Sequence, residues 1–340
     1  MTETTEKPQS TTERARDIAR RIFRNENAVL VMVLAALIGG MGVFTRGASL
    51  IPANIMNVLI QSSIRGVASV GQTFVVLSAG IDISVGGNAL LASVMGASLL
   101  TSEPMHQLYG IQLPMYGGIA IMLLVATGVG MVSGSLVSRI GVPPLIVTLG
   151  MWQILKGAAF QVCWGAAIGW LPEGLSLFGS GKVFGVGVPV IIWIAVAATG
   201  YFVLIQTSFG RSVYAVGGNP VSAWLSGINV RNVQFMVYVV SGFLAGLAGL
   251  IATARVLSAS MHTAVGLELD SIAAVFVGGV SLMGGRGSLI GVVLGTLIIG
   301  VINNTMSILG AQPPLQGIVK GAIIIAAVAI DCIRRRGRGR

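Results

Sequence analysis

Long apolar segments alternate with short polar stretches along most of the chain. Ten such segments can be delimited, at about 28–45, 55–79, 84–101, 116–138, 143–164, 187–206, 231–253, 271–284, 288–309 and 314–333. Most approach the length of about 20 residues that an α-helix needs to cross a bilayer. The segment 84–101 is somewhat short and 271–284 is clearly short, and such glycine-interrupted segments are often half-helices that line a cavity. The pattern predicts an all-α polytopic membrane protein with about ten transmembrane helices, some short or broken.

The composition agrees with this class, and the charges orient the protein. Apolar residues make up 54% of the chain and charged residues only 9%, against about 25% charged residues in a soluble domain. The net charge is +10, and eleven of the 21 Lys and Arg residues lie before the first apolar segment or after the last one. Because positive charge marks cytoplasmic segments, we expect both termini to be cytoplasmic. This explains the excess of Lys and Arg better than nucleic-acid binding does. We therefore divide the chain into a basic tail (1–25), a transmembrane domain (26–333) and a second basic tail (334–340).

The N-terminal tail carries threonine, glutamate and arginine but no apolar segment. Two interpretations remain open for it. Its end forms a short amphipathic basic helix at about 13–24 on the membrane surface, or the whole tail lacks fixed structure.

Two sequence patterns describe how the helices are arranged. Small residues four positions apart let helices approach closely in a bilayer, where lipid supplies no hydrophobic drive. Such pairs are Gly130/Gly134, Gly242/Gly246 and Gly291/Gly295. In addition, the stretches 80–91 and 278–291 each combine a glycine pair, a polar residue and a following apolar helix, which allows an internal repeat.

One carboxylate lies deep inside the apolar pattern. Asp82 belongs to the string GIDISVGG at 80–87, between the apolar stretches 67–79 and 88–100. A charged group at the centre of a bilayer costs about 2.5–3.5 kcal/mol or more, so it must face protein or water. We therefore expect a transport pathway near Asp82. The alternative to this transport role is a structural one, in which Asp82 caps the following helix or pairs with Arg65.

Uncharged polar side chains also interrupt the apolar segments. Four polar residues early in the second segment have helical spacing and share one face: Asn54, Asn57, Gln61 and Arg65. Amides and hydroxyls hydrogen-bond a neutral polyol weakly, as a pathway requires, since tight binding would trap the substrate. The candidate pathway residues are Asn57, Gln61, Asp82, Ser84, Asn88, Asn303 and Asn304. The alternative for each amide is a hydrogen bond between helices, worth about 0.6 kcal/mol on average.

Three charged residues lie in or beside the last apolar segments. Glu268 and Asp270 are expected in the first turn of a helix, where the helix dipole favours negative charge. Lys320 is expected near the outer end of the last span, with its amine extended to the membrane surface.

No catalytic or nucleotide-binding set of residues is visible. The nearest approach to a phosphate-binding loop is FGSGKVF at 178–184, but the motif G-x-x-x-x-G-K-[ST] requires glycine in place of Ser176 and a hydroxyl residue in place of Val183. The two histidines are isolated in predicted outer loops, so we predict no metal site. We expect no enzyme activity and no cofactor in this chain; if ATP drives it, another chain binds ATP and Mg.

The longest cytoplasmic loop, 207–230, carries the signals of a short helix. Asn219 is a strong N-cap residue and Pro220 suits the first helical position. Gly227 suits the position after the last turn, so we expect a helix at 220–226. Its apolar side would carry Val221, Trp224 and Leu225. A helix this short is marginal in water by itself, so it either lies on the protein's own surface or docks on a cytoplasmic partner.

Four strings along the chain resemble one family. They are GIDISVGG (80–87), GRSVYAVGGNPVSAWLSGINV (210–230), ELDSIAAVFVGGVSLMGGRGSLIGVVLGTLIIG (268–300) and VKGAIIIAAVAID (319–331). In this order they resemble the ribose/xylose/arabinose/galactose-type ABC transporter permeases over about 50–335, nearly the whole chain.

The resemblance implies a permease of the bacterial inner membrane, paired with a second copy of itself or with a sister permease. It also implies two further partners, a cytoplasmic ATPase with two nucleotide-binding modules and a periplasmic sugar-binding protein. The loop 210–228 would hold the coupling helix that fits a groove on the ATPase. The residues assigned to this contact are Arg211, Tyr214, Gly217, Gly218, Asn219, Pro220, Trp224 and Gly227.

The expected function is that of the transmembrane subunit of an ATP-driven importer for a monosaccharide or similar small polyol. A second hypothesis is a proton- or ion-coupled secondary transporter that uses Asp82 as its coupling carboxylate and works without ATP. A third, a membrane scaffold without transport, would leave the polar helix faces unexplained. The substrate stays open between a pentose, a hexose, a sugar alcohol and a furanone.

Overall fold

The computed structural model describes residues 26–338, so the helix predicted at about 13–24 lies outside the described residues. Thirteen α-helices make up most of this range. They are α1 (Glu26–Phe44), α2 (Pro52–Leu77), α3 (Val85–Leu100), α4 (Met115–Ser135), α5 (Pro144–Cys163), α6 (Ser176–Ser180), α7 (Val188–Gln206), α8 (Ser208–Gly218), α9 (Pro220–Leu225), α10 (Val230–Val256), α11 (Leu267–Val277), α12 (Leu289–Ile308) and α13 (Pro313–Arg338). The two-residue strands β1 (Lys182–Val183) and β2 (Val186–Gly187) pair antiparallel.

Each of the ten apolar segments forms a helix, which confirms the all-α polytopic fold. Within residues 26–338, seven helices are long and apolar enough to cross a membrane: α1, α4, α5, α7, α10, α12 and α13. The other three predicted spans are α2, which has 26 residues but a polar face, α3 with 16 residues and α11 with only 11. The shortness predicted for α3 and α11 is therefore confirmed.

Helix α10 forms the centre of the bundle and packs against α2, α3 and α4. A methyl group at Gly130 of α4 would lie 2.5 Å from the carbonyl oxygen of Tyr238, and one at Gly242 would lie 2.8 Å from the Cα of Gly130. Helix α12 approaches α11 in the same way, because a methyl group at Gly295 would lie 2.3 Å from the carbonyl oxygen of Ala274. The close contacts predicted from the glycine spacing are confirmed.

Helices α2 and α11 end with the same hydrogen-bond pattern. The N–H of Gly80 donates to the carbonyl of Val75 at 2.9 Å, and the N–H of Val280 donates to the carbonyl of Val275 at 3.2 Å. The residue before each donor has a left-handed φ, 64° in the first turn and 82° in the second. Both are Schellman-type helix ends, but the same pattern ends α9, where the N–H of Ile228 donates to the carbonyl of Ala223, so the internal repeat stays a prediction.

The two turns then lead the chain back into the protein. The N–H of Gly285, in the loop that follows α11, donates to the carbonyl of Leu77 at 2.9 Å. The end of α2 therefore lies beside this loop, on the side of the loop 207–230. Asp82, by contrast, contacts Ser241, which lies eleven residues into α10, about 17 Å along its axis. Helix α3 therefore begins inside the protein, as a half-helix does.

Candidate functional site

The carboxylate of Asp82 lies in the turn before α3 and is buried, with 4% of the residue exposed. Its Oδ1 accepts hydrogen bonds from the backbone N–H and the hydroxyl of Ser84, at 3.0 and 2.5 Å. Its Oδ2 accepts from the hydroxyl of Ser241 at 2.8 Å. The pairing with Arg65 considered from the sequence is wrong, because Arg65 contacts a different carboxylate. The alternative in which Asp82 caps the following helix is also not what the structure shows, because the N-cap of α3 is Ser84; Asp82 instead accepts hydrogen bonds from that residue.

The same turn is bonded to three further helices. The hydroxyls of Thr148 in α5 and Tyr238 in α10 both donate to the carbonyl of Ile81, at 3.3 Å each. The side-chain amide of Gln72 in α2, oriented to match both groups, reaches the backbone N–H and carbonyl of Asp82 at 3.2 and 3.1 Å. The start of α3 is thus fixed against the core of the bundle.

Several amides predicted for the pathway meet where α2 faces α10 and α12. Asn54 and Asn304 exchange two hydrogen bonds of 3.0 and 2.9 Å. Arg255, near the end of α10, donates to Asn57 at 2.6 Å. Gln61 is half-buried one turn further along α2. The helical spacing that predicted a common face for these α2 residues is borne out by their contacts.

Two other predicted pathway residues contact different helices. Asn303 of α12 donates to Asp270 of α11 at 3.4 Å. Asn88 of α3 is buried and donates to the carbonyl of Ala126 in α4 at 3.0 Å. The structure therefore brings Asn303 towards the α2 face, whereas Asn88 joins α3 to α4.

Asp270 is the centre of an ionic cluster that the sequence patterns did not reveal. Its Oδ2 accepts from the Nε of Arg65 at 2.7 Å, and its Oδ1 lies 2.8 Å from the Nζ of Lys320. The expectation that Lys320 reaches the membrane surface is wrong, because Asp270 offers its amine a buried counter-charge. Glu268 and Asp270 do lie in the first turn of α11, as predicted. Across residues 26–338, no three His, Cys, Asp or Glu side chains are grouped as metal ligands.

The short helix predicted for the loop 207–230 is present as α9. The Oδ1 of Asn219 accepts from the N–H groups of Val221 and Ser222, both at 3.0 Å, so Asn219 is the N-cap. Pro220 is the first helical residue. Gly227 has a φ of 83°, a left-handed conformation that glycine adopts without strain. The predicted capping chemistry is confirmed at both ends.

The apolar side of α9 does not rest on the described part of the protein. Val221 is 65% exposed, Trp224 66% and Leu225 73%. A groove of about 750 Å³ follows this side and is also lined by Ile228 and Arg231. Of the two interpretations of the short helix, docking on a partner is the one that gives this apolar side a role.

Helix α8, by contrast, is packed firmly against the membrane part. A methyl group at Gly217 would lie 1.7 Å from the carbonyl oxygen of Leu77 and 2.6 Å from the nitrogen of Gly285. The hydroxyl of Tyr214 donates to the carbonyl of Gly287 at 3.1 Å. Burial raises the pKa of Tyr214 above its ordinary value, so the hydroxyl keeps the proton that it donates. Helix α8 therefore joins α9 to the turns that end α2 and α11.

The remaining residues predicted for the cytoplasmic contact lie at the surface. Arg211 and Gly218 are exposed. No atom lies within 4 Å of a methyl group built at Gly218, in contrast to its neighbour Gly217. The two adjacent glycines thus occupy different environments, one at an internal backbone contact and one facing outward.

The chain matches a known permease family over most of its length. The family described as branched-chain amino acid transport system / permease component matches residues 54–328. No solved structure matches the chain.

Curated relatives are similar over most of both chains. The ribose import permease of Haemophilus influenzae is 42% identical over 258 residues, which cover 75% of this chain and 77% of the relative. The D-allose transport system permease of Escherichia coli is 36% identical over 299 residues, 88% of this chain and 89% of the relative. The fructose import permease of Rhizobium meliloti is 35% identical over 312 residues, 89% of this chain and 84% of the relative. These matches show that the chain belongs to the ABC transporter permease family, on its sugar-import branch.

Proposed function

We propose that this chain is the transmembrane subunit of an importer that carries a monosaccharide or similar small polyol across the bacterial inner membrane. The substrate is delivered by a periplasmic sugar-binding protein. A separate cytoplasmic ATPase with two nucleotide-binding modules binds ATP and Mg and drives transport. A second permease copy, identical or a sister chain, completes the membrane part.

The observation that carries this proposal is the exposed helix α9 together with its rigid support. A six-residue helix does not persist by itself in water, yet this one is capped at both ends and presents an apolar side to the outside. Its neighbour α8 contacts the backbone at Leu77 and Gly285 without room for a methyl group. A protein bound to α9 can therefore act on the ends of α2 and α11, which is what an ATPase that drives transport must do.

The polar face of α2 supports the choice of a neutral, hydroxyl-rich substrate. Amide side chains are concentrated where this face meets α12: Asn57 and Gln61 of α2, and Asn303 and Asn304 of α12. We propose that these amides line the pathway. The relatives named for ribose, D-allose and fructose import favour the same substrate class. Asp82, Ser84 and Asn88 complete the proposed pathway residues, with their main contacts at the start of α3 and between α3 and α4.

The hypothesis of an ion-coupled transporter that uses Asp82 loses support. A coupling carboxylate must be free to exchange its partner ion during transport. Both oxygens of Asp82 accept hydrogen bonds from Ser84 and Ser241, so the carboxylate is not free to exchange a partner ion.

Affinity purification from native membranes in mild detergent tests the proposal. We expect an ATPase with two nucleotide-binding modules to co-purify, together with a binding protein whose own ligand identifies the substrate. The variant Trp224→Ser, purified in parallel, changes one exposed residue of α9. It should reduce recovery of the ATPase but not of the chain. Recovery of the chain without an ATPase after chemical cross-linking in intact cells would contradict the proposal.

A further inference from the structure

A groove of about 320 Å³ runs between α7 and α12 on the surface of the membrane part. In it, the small Ala197 and Ala198 leave space among the larger Ile194 and Tyr201 of α7 and Ile290 of α12. These three larger side chains are exposed. The residues that line the groove carry no charged and no amide side chain. The groove therefore suits hydrocarbon rather than a sugar.

The groove lies in the half of the membrane next to the loop 207–230. Helix α7 has 19 residues, about 28 Å, which is close to the hydrocarbon thickness of about 30 Å, so its two ends mark the two membrane surfaces. Tyr201 lies five residues before the end of α7 at Gln206. A methyl group at Gly200 would lie 3.1 Å from the side chain of Leu289, the first residue of α12. From this level the groove extends towards the middle of the membrane at Trp193.

Positive charge lies at the end of the groove that faces this membrane surface. Arg286 precedes α12 by three residues and is exposed, and no carboxylate of residues 26–338 lies within 4.0 Å of its guanidinium. Its neighbour Gly287 accepts the hydrogen bond from Tyr214 of α8. Arg211, also exposed, is one helical turn from Tyr214 and so lies on the same side of α8. Two arginine side chains therefore surround one contact, and their length allows them to reach the membrane surface.

An apolar groove with arginines at its cytoplasmic end has the chemistry that binds an anionic lipid. A second copy of the chain fits less well, because a two-fold contact would set this concave surface against itself and bring like charges together. The N-terminal tail, 1–25, carries several arginines and no apolar segment, so it matches neither the groove nor the charge beside it. The charge and the lining together favour a phospholipid.

We propose that the groove between α7 and α12 binds an acyl chain of one anionic phospholipid from the cytoplasmic leaflet, and that Arg286 holds its phosphate group. The lipid lies beside the hydrogen bond of 3.1 Å between Tyr214 and Gly287, which attaches α8 to the membrane part. Tyr201 of the groove is close enough to Tyr214 to interact with it electrostatically. The bound lipid therefore supports the position of α8. The inference goes beyond the proposed function and depends on neither a sugar nor an ATPase.

Quenching of tryptophan fluorescence in the purified full-length chain tests this inference, because Trp193 lines the groove. Phosphatidylglycerol or phosphatidylcholine with brominated acyl chains is added to the chain in mild detergent. We expect half-maximal quenching at about fivefold less phosphatidylglycerol than phosphatidylcholine, the effect of one arginine near an anionic lipid. Arg286→Gln should bring the two amounts close to equality, and Trp193→Phe should abolish the difference. The control is Arg231→Gln, the same change at another exposed arginine, and it should keep the fivefold preference.

A second pair of variants tests the groove itself. Ala198→Phe fills it and should abolish the preference, whereas Ala195→Phe, at an exposed position of α7 outside the groove, should not. Equal quenching of the wild type by both lipids, or a full preference in Arg286→Gln or in Ala198→Phe, would overturn the inference. Conversion of a dimer to a monomer by Ala198→Phe, measured by light scattering, would show an interface between copies and overturn it too. If Ala198→Phe does not fold, Arg286→Gln and Trp193→Phe decide.

Discussion

Two adjacent glycines allow a sharp test of how α8 is coupled to the membrane part. Gly217→Ala places a methyl group 1.7 Å from the carbonyl oxygen of Leu77, whereas nothing lies within 4 Å of the same group at Gly218. Carbon atoms essentially never approach an oxygen closer than 3.0 Å, so α8 and the end of α2 must separate by at least about 1.3 Å in the Gly217 variant.

The expected free-energy cost follows from two contributions. Forcing a methylene-sized group into a packed contact costs about 1–3 kcal/mol. The displacement also disturbs the hydrogen bond from Gly285 to Leu77, 2.9 Å long, which contributes about 0.5–1.5 kcal/mol. Both glycines are helical, so the gain of about 1 kcal/mol from replacing glycine by alanine applies to both and cancels in the comparison. We expect Gly217→Ala to be about 2–4 kcal/mol less stable than Gly218→Ala.

Thermal unfolding of the two purified variants in the same detergent, at one heating rate, measures this difference. The midpoint should be about 5 °C or more lower for Gly217→Ala. Sugar uptake per ATP hydrolysed by the assembled complex should fall in Gly217→Ala and stay near the wild-type value in Gly218→Ala. Equal midpoints and equal uptake ratios would refute the close contact and the coupling route through it.

Three further predictions test other parts of the molecule. Asp270→Asn removes the common counter-charge of Arg65 and Lys320 and should lower stability by about 3–5 kcal/mol, clearly more than Lys320→Met, which leaves the Arg65 pair intact; equal unfolding midpoints would contradict the central place of Asp270. Trp224→Ser should weaken binding of the ATPase at least tenfold in a pull-down without lowering the unfolding midpoint, because the side chain is 66% exposed; a lowered midpoint with normal binding would count against docking. Uptake should stop when ATP is depleted and continue when the proton gradient is dissipated, and the reverse would restore Asp82 as a coupling carboxylate.

The helices and the capped helix α9 could be predicted because their signals are local. Apolar length defines a span, and α9 requires only a cap, a proline and a glycine within nine residues of each other. The shortness of the segment 271–284 could be predicted in the same way, although its helix α11 begins earlier, at Leu267. Hydropathy alone places the start late because Glu268 and Asp270 are polar, whereas their expected place in the first turn of a helix gives the start that the structure has.

The charge pairs could not be predicted, because they join residues far apart in sequence. Arg65 and Asp270 are separated by 205 positions, and Lys320 lies on a third helix. The sequence offered Asp82 as a nearby partner for Arg65, and local hydroxyls satisfied that carboxylate instead. A charge count near membrane depth was the available signal: Arg65 requires a buried partner, and Glu268 and Asp270 border the predicted segment 271–284.

Helix α11 connects the start of α3 with the cytoplasmic helix α8. Helix α11 is 11 residues long, about 16 Å. In its first turn, Glu268 would collide with a methyl group at Gly86 in α3, and the turn that contacts Gly217 comes after its last. A protein docked on α9 can move the start of α3 only if the elements between them move together. The backbone contacts of α11 with α12 at Gly295 and of its following turn with α8 at Gly217 leave no room for a methyl group, so these elements shift as a unit rather than deform. If a partner favours one position of α9, these contacts transmit that preference to the start of α3, which is the differential binding that a change of state requires.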